Sequence, residues 1–171
     1  MQSFLWKIHL EERIFGEVRE IFQMLQTQQV LSSQDVFGST ALHYLAEYFP
    51  VIRGEVSQSG RESFLDLVKS FANESNVRCQ DGFNGRTALH YLTEKFPRGI
   101  SEEWREVYQD FVKHLATYDI LEIKDKDGDT ALHYLVGEFT FKIEEWKMET
   151  FVEVLKCLAD PRTIRIKDRK G

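Results

Sequence analysis

Three histidines stand in identical surroundings. The hexapeptide Thr-Ala-Leu-His-Tyr-Leu occupies Thr40 to Leu45, Thr87 to Leu92 and Thr130 to Leu135, placing His43, His90 and His133 at matching points. Histidine is the commonest metal ligand and a frequent general base near neutral pH, so metal binding and acid–base catalysis are the first chemistries to weigh. Coordination needs several ligands converging on one ion at about 2 Å. Residues that recur once per unit of a stacked array lie a unit's thickness apart and do not converge. The repetition therefore points to a structural role, and no catalytic, cofactor-binding or metal-ligating residue is assigned.

The run Asp125-Lys126-Asp127-Gly128-Asp129 partly matches a calcium loop, which requires a bidentate Glu at its twelfth place. Counting from Asp125, that place holds Val136, and Thr130 already opens a helical pattern, so a solvated turn is the expectation. Cys79 and Cys157 lie far apart without a partner motif and read as small apolar fillers in a reducing compartment. A phosphate-binding Gly-rich loop, a Gly-x-Ser-x-Gly elbow and a Cys-x-x-Cys pair are all missing from the sequence. An enzyme is not expected.

Net charge is −6, with acidic and basic residues interspersed, so no footprint for a phosphate backbone exists and direct nucleic-acid binding is not expected. Glu11, Glu12 and Arg13 interrupt the N-terminal region before any apolar run reaches signal-peptide length. No stretch approaches 18 apolar residues, so membrane insertion is not expected either. These features predict an intracellular chain, cytoplasmic or nuclear. With 42% hydrophobic residues, 13 of them Phe, the 171-residue chain has material for a core of its own.

The elements around the histidines repeat as well. A glycine lies two residues before each threonine, at Gly38, Gly85 and Gly128, and Phe49, Phe96 and Phe139 lie nine residues after it. Polar, Gly-containing turns thus precede helices that Thr40, Thr87 and Thr130 are placed to cap, and Pro50 and Pro97 end or bend the first two. Further on, apolar residues recur at helical spacing. They are Phe64, Leu67, Val68 and Phe71, then Trp104, Val107, Tyr108, Phe111, Val112 and Leu115, then Phe151, Val152, Leu155 and Leu158. Each unit reads as helix, loop, helix, turn.

Gly-x-Thr-Ala-Leu-His with a following helix pair resembles the ankyrin repeat, whose period is about 33 residues. The resemblance implies an all-α helical repeat solenoid of antiparallel helix pairs joined by projecting turns. It also implies that the motif histidines are buried and bonded to backbone of the adjoining turn. The expected repeats are 1–34, 35–80, 81–124 and 125–167, with 168–171 opening another and the natural chain continuing past Gly171. The first is degenerate, with Ile8-His9 in the Leu-His place. The spacings of 47 and 43 residues between glycines exceed the family period, which places extra residues between the two helices of each unit. Tyr44-Leu45, Tyr91-Leu92 and Tyr134-Leu135 replace the family's small residues, so the inner helices are expected to stand further apart or to use these side chains to carry longer helices.

Fold and motif together imply a scaffold that binds another protein through its turn tips and the exposed face of its inner helices. Carried over position by position, the turn candidates are Val36, Phe37, Ser39, Phe83, Asn84, Arg86, Lys126, Asp127, Asp129, Arg169 and Lys170. The inner-helix candidates are Glu47, Tyr48, Glu94, Lys95 and Glu138. Phe37 and Phe83 stand out as aromatics at places where water favours polar residues; they either anchor a partner or fold back onto their own turns. The apolar stripe near the C-terminus is expected to self-associate or to be covered by further repeats. The alternatives are a regulatory or substrate-recruiting domain of a larger enzyme, and an ankyrin-type inhibitor that masks a transcription factor or host protein.

Overall fold

The computed structural model describes residues 33–49, 57–96, 100–137 and 144–168, and every regular element among these residues is a helix. Almost all of the expected first unit, together with Pro50, Pro97 and Phe139, lies outside the described residues.

Each hexapeptide forms a short inner helix and each apolar stripe a longer outer one. The chain runs through α1 (Ala41–Tyr48), α2 (Gln58–Phe71), α3 (Glu74–Arg78), α4 (Ala88–Glu94), α5 (Arg105–Leu115), α6 (Tyr118–Leu121), α7 (Ala131–Gly137) and α8 (Glu145–Leu158). Inner helix α4 packs between α1 and α7, and outer helix α5 packs between α2 and α8. The pairs α1 with α2, α4 with α5 and α7 with α8 close the space between these two layers. Short elements α3 and α6, and a 3-10 turn at Thr163–Arg165, follow the outer helices.

The core lies between the layers and is threaded by a row of aromatic rings. Phe49 lies tilted against Phe64 of its own unit at 5.2 Å and stacks on Tyr108 of the next at 6.1 Å. Phe96 repeats this with Tyr108 at 5.4 Å and Phe151 at 6.2 Å. Each inner-helix phenylalanine is thus a rung between consecutive outer helices, at centroid distances favourable for aromatic pairs. Trp104 closes the first rung edge-on to Phe49 and Phe64, with its indole N–H buried and unpaired.

The outer helices end alike. Ala72, Ala116 and Ala159 each donate a backbone N–H to the carbonyl four residues back, at 2.8 Å. Asn76 Nδ2 and Thr163 Oγ1 then satisfy the final carbonyls of α2 and α8, Phe71 at 2.8 Å and Leu158 at 2.7 Å. Orphan carbonyls at a buried helix end need such partners. The apolar face of α8 differs in one place from its sequence reading: Val152 is exposed, and Val154, two residues on and on the other side of the helix, is buried.

Candidate interaction surface at the turns

A carboxylate organises each turn. Asp35 Oδ1 accepts the N–H groups of Phe37 and Ser39 at 2.8 and 2.9 Å, and Asp125 Oδ1 accepts those of Asp127 and Asp129 at 2.9 and 3.0 Å. Asp81 accepts from Phe83, Asn84 and Arg86 at 2.7, 2.6 and 3.0 Å, its turn being one residue longer. These are Asx turns, in which a short side chain takes over backbone hydrogen bonding. Gly38, Gly85 and Gly128 complete them with φ of 76°, 70° and 87°, a region that costs other residues steric strain.

The hexapeptide tyrosines reach back to these same carboxylates. Tyr44 donates its hydroxyl to Asp35, Tyr91 to Asp81 at 3.1 Å and Tyr134 to Asp125 at 2.7 Å. These side chains tie each inner helix to its own turn, and α1, α4 and α7 have 8, 7 and 7 residues. The Tyr44 hydroxyl and the turn N–H groups hold the Asp35 carboxyl below its ordinary pKa. Burial pushes Asp81 and Asp125 the other way, but the same kinds of hydrogen bond outweigh it and both are lowered. Burial, with Asp81 beside it, pushes the Tyr91 phenol up to about 12.

Each histidine joins two units. Thr40 donates its backbone N–H to His43 Nδ1 at 3.1 Å, which leaves the proton on Nε2 to be donated to the Arg86 carbonyl at 3.1 Å. His90 does the same, accepting from Thr87 at 3.1 Å and donating to the Asp129 carbonyl at 3.2 Å. The histidine therefore caps its own helix at the third position and clamps the next turn. Burial lowers the pKa of both, that of His90 to about 4, so His90 is neutral and its hydrogen-bonding pattern is fixed at physiological pH. His133 repeats the cap, accepting from Thr130 at 3.1 Å. Among the described residues no group of three or more His, Cys, Asp or Glu side chains converges to hold a metal ion.

Further bonds lock the turns side by side. Gly82 N–H donates to the Phe37 carbonyl at 2.7 Å, and Lys126 N–H to the Asn84 carbonyl at 2.9 Å. Lys126 Nζ adds bonds to the carbonyls of Gly82 and Phe83 at 2.6 and 2.9 Å. Gln34 bridges to Cys79 Sγ at 2.8 Å, Gln80 to the Lys124 carbonyl at 2.9 Å, and Lys124 Nζ to the Lys167 carbonyl at 2.8 Å. Cys79 and Cys157 are both free thiols.

On this frame the candidate contacts fall into two groups. Val36, Phe37 and Phe83 project from adjacent tips with 93%, 63% and 77% of their surfaces exposed, so the two phenylalanines do not fold back onto their turns. Tyr48 is also exposed and stacks on Tyr44 at 6.3 Å, while Lys126 and Asp127 are exposed further along. Ser39, Glu47, Asn84, Lys95 and Asp129 are half-buried.

Arg86 and Glu94 are engaged internally. The Arg86 side chain, 15% exposed, pairs with Glu94 at 3.0 Å, donates to the Tyr134 hydroxyl at 2.6 Å and lies over the Tyr134 ring at 4.5 Å. Its Nε is 3.7 Å from Asp125 Oδ2. Burial opposes the Arg86 charge, but Glu94 and Tyr134 outweigh it and raise the pKa. Arg86 thus links two units as His90 does. Glu138, Arg169 and Lys170 lie outside the described residues.

No family model, curated protein or solved structure matches this chain. What the surface does must be read from its own geometry. The turns are braced by backbone bonds, Asp carboxylates and histidine clamps, and the first two present the apolar side chains Val36, Phe37 and Phe83. Preformed and apolar, such a surface suits recognition of another macromolecule. The Asp–Tyr tie and the Arg86 link were not foreseen from sequence. The intervals Asp35 to Tyr44, Asp81 to Tyr91 and Asp125 to Tyr134, of 9, 10 and 9 residues, are the signal that carried the tie. Among the described residues no helix is long and apolar enough to cross a membrane.

Proposed function

We propose that this chain is a protein-binding module, an ankyrin-type solenoid that takes a partner protein on its row of turn tips and acts without catalysing a reaction. The observation that carries the reading is the exposure of Val36, Phe37 and Phe83 on turns bonded directly to one another through Gly82 N–H and the Phe37 carbonyl. Burying apolar area contributes about 25 cal/mol per Å², and aromatic anchors in preordered positions commonly dominate interfaces. A side chain on a flexible loop would lose conformational entropy on binding, and these turns have already lost it in folding. Tyr48 and the half-buried Glu47 extend the surface onto α1.

The test is to isolate the partner by affinity purification from the source cell and then map its footprint by hydrogen exchange on the complex. Protection concentrated at residues 35–39 and 82–86 is the expected result. Protection confined to α2, α5 and α8 would put the partner on the outer layer and refute the reading.

A further inference from the structure

A groove of about 490 Å³ opens between outer helices α5 and α8. Met148 and Val152 of α8, 41% and 39% exposed, give it an apolar surface, and Arg105, Glu106, Glu149 and Glu153 line it around them. One arginine against three glutamates leaves the groove negative.

Its carboxylates belong to a pattern that recurs across the outer layer. Glu62, Glu106 and Glu149 stand 44 and 43 residues apart, as do Asp66, Asp110 and Glu153, and Lys69, Lys113 and Lys156. The same intervals separate Phe64, Tyr108 and Phe151 in the core, so each set holds one place on α2, α5 and α8. The lysines pair with the second set, three residues back in their own helices, at 3.9, 3.4 and 2.7 Å. The first set has no such cation. Four residues beyond each of its glutamates stands another carboxylate, and like charges at that spacing weaken a helix. Glu149 takes Arg105 of the neighbouring helix at 3.3 Å, while Glu106 is exposed and makes no ion pair among the described residues.

We propose that this groove docks an extended basic segment of a partner protein, with an apolar side chain on Met148 and Val152 and Lys or Arg residues on the glutamate row. Charge complementarity decides the occupant. Cations on the row relieve the like-charge pairs, and an apolar side chain between them covers the two exposed residues. Spacing decides its form. Packed helices lie about 8 to 10 Å apart, and a polyproline II segment advances about 9 Å per three-residue turn. A cation at every third residue therefore meets Glu62, Glu106 and Glu149 in succession, and the apolar residue between the last two cations enters the groove. The site is on the outer helices, apart from the turn tips, and does not depend on what binds there.

The probe is the synthetic peptide Arg-Pro-Pro-Arg-Pro-Leu-Arg, titrated into the full chain and followed by nuclear magnetic resonance. Its control is Arg-Arg-Arg-Pro-Pro-Pro-Leu, with the same composition and charge. Shifts confined to α2, α5 and α8, with the probe binding at least about tenfold more tightly than the control, are the expected result. Glu106→Lys and Val152→Arg, both at exposed positions, should each weaken the probe by about tenfold, and Phe37→Ala with Phe83→Ala should leave it unchanged. No binding, equal binding of the two peptides, or loss of binding in the turn-tip variant would overturn the proposal. A dimer of the free chain that Val152→Arg abolishes would give the groove to a second copy and overturn it equally.

Discussion

His90 Nε2 lies 3.2 Å from the carbonyl oxygen of Asp129, 39 residues further along the chain, and through this bond one unit's helix cap holds the next unit's turn. The proton on Nε2 is required by the Thr87 N–H that occupies Nδ1. A second proton would remove that acceptor in a fully buried site.

Stability should therefore fall in mild acid. Burial lowers the folded-state pKa of His90 from 6.5 to about 4, so the unfolded chain takes up its proton first as pH drops. Its contribution is complete above about pH 6.5 and is lost progressively down to about pH 4, amounting to about 3 kcal/mol. His43 acts in the same direction. Below that range Asp81 and Asp125, both lowered, give up their turn bonds as they protonate. Urea unfolding across pH 4 to 8 reads this directly, and a midpoint that stays flat between pH 6.5 and 4 would contradict it.

Gly38→Ala should be among the most damaging small substitutions. The residue has φ +76°, and a Cβ there would sit 2.7 Å from Gly82 N, the atom that donates to the Phe37 carbonyl. The backbone region alone costs about 1 to 2 kcal/mol for a residue with a Cβ, and the displaced hydrogen bond adds about 1 kcal/mol. Gly137→Ala is the control, because nothing lies within 4 Å of its added methyl. Thermal unfolding of the two variants should separate them by several degrees, with Gly137→Ala at or above the parent.

Arg86→Met separates internal from external roles. Removing the guanidinium leaves the buried Asp125 without its cation, leaves Glu94 only the more distant Lys95 at 3.9 Å, and uncovers the Tyr134 ring, a loss of about 1 to 3 kcal/mol. Lower stability with partner affinity preserved below the melting range is the expected outcome. The reverse pattern would place Arg86 in the interface.

The inner and outer helices were legible because their signals are local. Thr-Ala-Leu-His announces a cap and a helix within four residues, and the spacing of Phe64, Val68 and Phe71 selects a buried face by itself. Val152 and Val154 show the limit. Both fit an apolar stripe, and only packing against α5 decides that Val154 is inside. The Arg86 link was hidden for a similar reason, since an arginine at a turn reads as solvent-exposed until the Tyr134 hydroxyl, 48 residues away, is placed beside it. Phe37 and Phe83 were legible as apolar residues at turns, but whether they faced water depended on the bond between neighbouring turns, which no single turn encodes.

Phe37→Ala combined with Phe83→Ala tests the central claim most directly. Both rings are largely exposed, so removing them should shift the melting temperature little, while surface anchors of this kind commonly cost more than 2 kcal/mol of binding when truncated. Calorimetric titration of the isolated partner against the parent and the double variant measures the difference. The predicted result is affinity reduced about thirtyfold or more with the melting temperature nearly unchanged. Equal affinity for both proteins would contradict the assignment of the turn tips as the binding surface.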